Sequence, residues 1–453
     1  MPTSLLPLAP PATTARRATI RVGYAIAFAL ALAAHGPRLP AQAAPARPSA
    51  PGAAADNDLA DSGASPAYRA RDSATALAYP EFSLALFRAM ARQTPDTNVF
   101  ISPASAAFAL AMTASGTAGT TWSAMARTLG VGSISPERLG AANAAALRSL
   151  TGQTAVTLTI ANSIWADSGR PFLPAFLDGT RRWYDADVTS LVLHGPAAES
   201  RINAWVAHAT AGRIASILPD TLPDSAGMVL INAVYFKGRW RGRFDSAATA
   251  PHAFTIGDGR HVTRRLMNRR TSLLYLADTG LRIVRLPYRG GRLAMYVVLP
   301  DSTQRLANVV ARLTPARWSR WMQSLATREV QIELPRFRLE YGATLNASLD
   351  TLGMGIAFRC DSANFSRMLP ANYLRRHPTC IDRVLQRTFV DVNEEGTEAA
   401  AVTAVTIAIT ASAARYVPPP IEFIVDHPFL VAIRDDRTGL LLFLGQITDP
   451  KQP

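Results

Sequence analysis

The chain has 453 residues, 48% of them hydrophobic and 18% charged, which suits a globular fold with a sizeable core and excludes a disordered chain. Its formal net charge is +14, carried almost entirely by arginine, with lysine only at Lys237 and Lys451. Such a balance would suit an acidic polymer or surface, but the arginines are scattered along the sequence, so no nucleic-acid partner is expected.

The N-terminus reads as an export signal. Arg16, Arg17 and Arg21 precede an apolar stretch, Val22 to Ala34, that is too short to span a membrane comfortably. Ala41-Gln42-Ala43 supplies a small-x-small cleavage site, so residues 1–43 are expected to be a signal peptide, with an N-terminal anchor as the competing reading. Residues 44–74 are rich in Ala, Pro, Ser, Asp and Gly and read as a disordered linker. The mature protein is then expected to be secreted, extracellular or periplasmic, and off the membrane. In that setting Cys360 and Cys380, the only two cysteines, read as one disulfide, with two free thiols as the alternative.

From about Thr75 the pattern turns helical, with Leu77, Phe82, Leu86, Phe87 and Met90 spaced for one face. A short strand ends at Ser102-Pro103, and Ala104 to Ala114 is a helix of small residues. Val156 to Trp165 alternates as a strand, and Phe172 to Tyr184 and Ser200 to Leu218 read as helices. Met228 to Phe236 is an apolar strand running into Lys237-Gly238-Arg239-Trp240. A turn at Arg289-Gly290-Gly291 leads to a buried strand, Val330 to Phe337 is another strand, and Leu441 to Pro450 is the last. Helices and strands mix without a βαβ rhythm, which argues an α+β fold in a single domain over residues 75–450.

Val392 to Ala401 is acidic and then abruptly small, and Val402 to Thr410 is uncharged, β-branched or alanine. Alone, this run reads as an ordinary core strand. Its flanks say more. Asn393-Glu394-Glu395-Gly396-Thr397-Glu398-Ala399-Ala400-Ala401 resembles the reactive-loop hinge of the serpins, the serine protease inhibitor family. Phe423-Ile424-Val425-Asp426-His427-Pro428-Phe429 resembles the family's C-terminal signature, and Asn232 to Trp240 and Asn98 to Ala106 are similar to serpin segments. The chain is thereby identified as a member of that family, of the bacterial exported type.

The resemblance implies three β-sheets with about eight or nine helices and an exposed reactive-centre loop. It also implies suicide-substrate inhibition. A serine protease attacks the loop and is held as an acyl-enzyme while the run from Thr397 enters the main sheet. Thr397 to Thr410 would extend on the order of 45 Å at ~3.3 Å per residue. Small residues at Thr397, Ala399 and Ala401 permit that insertion; a non-inhibitory serpin acting in binding or as a chaperone is the alternative. Ser102, Ser105 and Asn232 match the network at which the sheet opens, with Gln386 in place of the family's usual His. Trp240 and Arg336 match the point of loop entry, with Arg336 expected to pair with Glu394.

The hinge spacing places the reactive bond at Thr410-Ala411, which suits an elastase- or subtilisin-like target. Counting back from Pro428 favours Arg415-Tyr416 and a trypsin-like target instead. An enzyme is not expected: no nucleophile elbow, metalloprotease helix, P-loop or dinucleotide fingerprint is present, and the histidines are isolated. Neither cofactor nor metal is expected, and the protein is expected to act as a monomer.

Overall fold

The computed structural model describes residues 79–132, 134–193, 195–218, 222, 226–397 and 419–452. The expected signal peptide and linker lie outside the described residues. So do Glu398, Ala399, Ala400, Ala401 and both expected reactive bonds, Thr410-Ala411 and Arg415-Tyr416.

Eight helices of six or more residues are found among the described residues: α1 (Pro80–Gln93), α2 (Pro103–Ser115), α3 (Gly119–Thr128), α4 (Pro136–Thr151), α5 (Pro174–Tyr184), α6 (Pro196–Ala209), α7 (Leu306–Ala311) and α8 (Pro315–Ser324). Six of them begin on a proline, whose fixed φ suits a helix start and whose missing N–H is no loss there. Helix α6 is shorter than the Ser200–Leu218 reading: Ala211 and Gly212 take φ of 50° and 76° and end it. The Thr210 hydroxyl then accepts from the Ile214 N–H at 3.1 Å, which turns the chain away.

Among the described residues the strands form two hydrogen-bonded sheets. The larger holds β1 (Val99–Ile101), β5 (Ala250–Thr255), β6 (His261–Asp278), β7 (Leu281–Pro287), β8 (Leu293–Pro300), β9 (Ala326–Pro335), β13 (Ile421–Ile424), β14 (Phe429–Asp435) and β15 (Leu441–Ile447), in the order β1-β15-β14-β8-β7-β6-β9-β13, with β5 beside β6. Two of the three expected sheets are joined here because β6 is 18 residues long: its first part pairs with β5 and its last with β7.

The second sheet has the order β10-β11-β12-β4-β2-β3 and contains β2 (Val156–Asp167), β3 (Asp187–Leu191), β4 (Met228–Arg239), β10 (Phe337–Thr344), β11 (Arg383–Asn393) and β12 (Gly396–Thr397). The single strand expected over Val330 to Phe337 is in fact split. It leaves the larger sheet at Pro335 and enters the second at Phe337, with Arg336 between them still donating its N–H to the Arg265 carbonyl of β6 at 3.1 Å.

Strand β4 is buried on both faces, as a central strand should be. Alternation divides its side chains between two cores. Met228, Leu230, Val234 and Phe236 face the main core with α2 and β15, whereas Val229, Ile231, Ala233 and Tyr235 join Ile202 and Val206 of α6 on the other side. Each Val, Leu, Ile, Met or Phe among them contributes about 1.5–3 kcal/mol when fully buried. Helix α2 has all its residues from Pro103 to Ala114 buried, and its alanines let it lie close beneath the sheet.

Candidate functional site

Two regions of the second sheet collect the residues singled out by sequence. At its centre, β11 and β4 run parallel and pair directly from Arg383↔Val229 to Phe389↔Tyr235. Beyond Phe389 they part, and β12 fills the gap. Gly396 and Thr397 pair antiparallel with Asn393 and Val392 on one side and with Arg239 and Gly238 on the other. The hinge thus begins as a hairpin folded back from β11, with Glu394 and Glu395 as its turn and its first two residues already in the sheet.

Glycine is required at 396 for two reasons. Its φ is 154°, and a Cβ there would lie 2.1 Å from the Gly238 carbonyl oxygen and 2.6 Å from Arg239 Cα. Thr397 is fully buried, and its hydroxyl lies 2.8 Å from the Tyr288 hydroxyl. Burial pushes the Tyr288 phenol well above the ordinary tyrosine range, so it stays neutral. Trp240 stacks on Tyr288 with centroids 4.7 Å apart, and its indole N–H donates to the Asn393 carbonyl at 2.9 Å. The turn is tied down by backbone bonds as well: Trp240 N–H donates to the Glu395 carbonyl at 2.9 Å and Phe244 N–H to that of Glu394 at 3.0 Å.

Charge surrounds the turn. Arg336 Nε lies 3.5 Å from Glu394 Oε2, an ion-pair distance, although this Nε makes no hydrogen bond among the described residues. Glu394 accepts instead from the Thr249 hydroxyl at 2.7 Å, and Glu395 pairs with Arg243 at 3.0 Å. Tyr288, Thr249 and Arg243 were not legible as hinge partners in the sequence. Only the Arg289-Gly290-Gly291 turn, which begins one residue past Tyr288, carried any local signal.

The second region lies where β4 and β11 are still paired. Gln386 and Asn232 are Cα partners, and Gln386 Nε2 donates to both Asn232 Oδ1 and the Ser102 carbonyl. Gln386 Oε1 accepts from the Ser102 N–H at 2.9 Å. Asn232 donates to the Ser105 hydroxyl and, at 2.6 Å, to Asn162 Oδ1 on β2. The Ser102 hydroxyl, at the start of α2, donates to the Leu442 carbonyl of β15 at 2.6 Å instead of capping its own helix. Ser102, Ser105, Asn232 and Gln386 are thus brought together as one buried latch across the β4–β11 seam. Asn162 belongs to it too, and its only sequence signal is a polar pair, Asn162-Ser163, between apolar residues in the middle of its strand.

Cys360 and Cys380 are bridged, with Cα atoms 4.5 Å apart. His427 lies beside Asp426, Nδ1 to Oδ1 2.6 Å, with Nε2 on the Pro300 carbonyl at 2.8 Å. No group of three or more His, Cys, Asp or Glu suited to a metal occurs among the described residues.

A family model described as "Serpin (serine protease inhibitor)" matches residues 78–450. The leukocyte elastase inhibitor of Sus scrofa is 36% identical over 382 residues, covering 82% of this chain and 97% of that protein. Serpin B6 of Macaca fascicularis is 34% identical over 381 residues, with the same coverage of 82% and 97%. Among solved structures, the thermophilic serpin tengpin in the native state is similar at a TM-score of 0.74 and 31% identity, covering 82% of this chain and 93% of that one.

These relatives correct one expectation. Leukocyte elastase inhibitor and serpin B6 are intracellular serpins, so the secreted localisation read from the N-terminus does not stand. That reading rested on arginines before a short apolar run and on the small residues of Ala41-Gln42-Ala43.

Proposed function

Because this chain belongs to the serpin family, we propose that it inhibits a serine protease as a suicide substrate. The protease attacks the segment that follows Thr397, forms an acyl-enzyme and is carried along as that segment enters between β4 and β11. One observation carries this reading: Gly396 and Thr397 already occupy the first two positions of that slot, hydrogen-bonded on both sides. Insertion then continues a strand that has begun, with no nucleation step.

The latch sets what must be broken. Below β12, the Gln386–Asn232 bond crosses the seam, so opening the sheet breaks the side-chain bond that ties β11 to β4 and leaves Asn232 Oδ1 without that donor until the incoming strand arrives. Such a group costs about 1–3 kcal/mol while unsatisfied. That cost holds the sheet shut until cleavage frees the loop.

The target is proposed to be elastase-like, with Thr410-Ala411 as the reactive bond and the protein acting as a monomer. The names of the relatives, leukocyte elastase inhibitors among them, favour that class over a trypsin-like enzyme cutting at Arg415-Tyr416. The test is incubation with elastase-like and trypsin-like proteases, followed by denaturing electrophoresis and sequencing of the released C-terminal peptide. An SDS-stable complex with a peptide starting at Ala411 is expected. Cleavage without any complex would reject inhibition and leave a binding or chaperone-like role. A peptide starting at Tyr416, with Arg415→Ala abolishing the complex, would reject the elastase-type bond.

A further inference from the structure

The seam between β4 and β11 is tied a second time, at the end far from the hinge. Gly227 and Met228 stand at the start of β4, and Asp382 precedes β11 by one residue. The Asp382 N–H continues the ladder to the Met228 carbonyl at 2.9 Å. Its side chain adds a stronger tie: one carboxylate oxygen, Oδ2, accepts from both the Gly227 and the Met228 N–H at 2.6 Å. Bonds from N–H groups to a carboxylate are roughly twice as strong as those between neutral groups. Arg170, in the loop after β2, adds another crossing, its Nη1 donating to the Thr379 hydroxyl at 2.8 Å.

Each partner is held by its own side of the seam. The Gly227 carbonyl accepts from the Asp167 N–H of β2 at 3.0 Å, and a Cβ at 227 would strike the Arg170 guanidinium. Gly227 and Arg170 therefore belong with β2 and β4. On the other side, Asn346 Nδ2 donates to the Asp382 carbonyl at 2.9 Å, and Asn346 Oδ1 accepts from the Val384 N–H at 2.8 Å. The Ile381 N–H donates to the Ala357 carbonyl at 2.9 Å, and Cys380 is bridged to Cys360. Asp382 and Thr379 are thereby fixed to the side that carries β10 and β11. The side-chain bonds of Asp382 and Arg170 join two parts that must separate when a strand enters between them.

Thr397 lies opposite Gly238, and Met228 is ten residues further down β4. At ~3.3 Å per residue this tie stands on the order of 33 Å beyond the docked hinge. An entering strand reaches it after the Gln386–Asn232 bond, which lies nearer the hinge. We propose that Asp382 is a positioning residue for loop insertion, an end stop whose release from Gly227 and Met228 completes the entry of the strand. The inference rests on the insertion reading above and adds to it where complete entry is resisted.

Unfolding in guanidinium chloride tests it on two forms of the chain: intact, and cut between residues 398 and 418 by a metalloprotease, which forms no acyl-enzyme. Cutting is expected to raise the midpoint of the unsubstituted chain, because the freed strand enters the sheet. Asp382→Ala is expected to lower the midpoint of the intact form by at least about 0.3 M and to leave that of the cut form within about 0.1 M, since the end stop is already open there. Asn346→Ala, whose lost bonds lie on one side of the seam, is expected to lower both midpoints by similar amounts. Should Asp382→Ala fail to fold, Asp382→Asn, which keeps an acceptor oxygen, is expected to show the same asymmetry with a smaller shift. An equal fall in both forms of the Asp382 variant, or no fall in the intact one, overturns the end stop and leaves insertion standing. A midpoint that cutting does not raise in the unsubstituted chain rejects insertion itself, and the end stop with it.

Discussion

Thr397→Arg is the perturbation that most directly probes the docked hinge. Thr397 is fully buried, and its hydroxyl satisfies that of Tyr288 at 2.8 Å. Arginine would leave the Tyr288 hydroxyl unpaired, costing about 1–3 kcal/mol, and would bury a guanidinium against Trp240 and Tyr288 at a cost of several kcal/mol more. Against this stand the ladder bonds of two residues, each worth about 1 kcal/mol net and partly offset by ordering the backbone at about 1–2 kcal/mol per residue. The penalty wins, so Gly396 and the substituted residue after it should leave the sheet while β4 and β11 stay paired below. For the acylated protease, a barrier to insertion raised by about 4 kcal/mol slows trapping roughly a thousandfold, and hydrolysis wins. Densitometry of denaturing gels should then show the variant cleaved with almost no SDS-stable complex, and Thr397→Ser, which keeps the hydroxyl, close to the native yield. Trp240 emission reports hinge departure without any protease, because its ring stacks on Tyr288 and its N–H is bonded to Asn393. If Thr397→Arg traps protease as well as the native chain and leaves Trp240 emission unchanged, the docked-hinge argument is refuted.

Gln386→Leu should destabilise by about 2–5 kcal/mol in urea unfolding, because it leaves the Ser102 N–H and Asn232 Oδ1 without those partners in a buried site. Gln386→His should behave differently with pH: an imidazolium cannot accept the Ser102 N–H, so stability at this site should fall below about pH 6.5, a loss glutamine does not suffer. At His427, burial of the ring opposes protonation, but the bonds to Asp426 and the Pro300 carbonyl outweigh it and raise the pKa, while the His427 bond lowers that of Asp426 despite burial. The raised histidine contributes stability that is fully present below its unfolded value near 6.5 and is lost as pH rises through the folded value; the depressed Asp426 contributes above about 3.9 and is lost as pH falls further. His427→Gln should therefore abolish an alkaline decline in Tm, one of about 2 °C or less since Asp426 is 44% exposed. Breaking the Cys360–Cys380 bridge should cost up to ~3 kcal/mol, read as a lower denaturant midpoint after reduction and alkylation; an unchanged midpoint would show the bridge to be energetically idle.

Local chemistry alone sufficed for much of this protein. Met228 to Phe236 is apolar except for Asn232 and reads as a strand; the residues around Gly396 read as a hinge through their resemblance to the family's motif; and Ala104 to Ala114 reads as a helix of small, uncharged residues. Such features depend on side-chain size, charge and pitch, which neighbours in sequence determine. Partners are another matter. Gln386 meets Ser102 across 284 positions, and Thr397 meets Tyr288 across 109. A strand's period says which face a side chain takes but not which residue lies opposite, because register is decided by the whole sheet. The change of sheet after Pro335 follows the same rule. It was settled by how distant segments pack, where tertiary contacts override the preferences of the local chain.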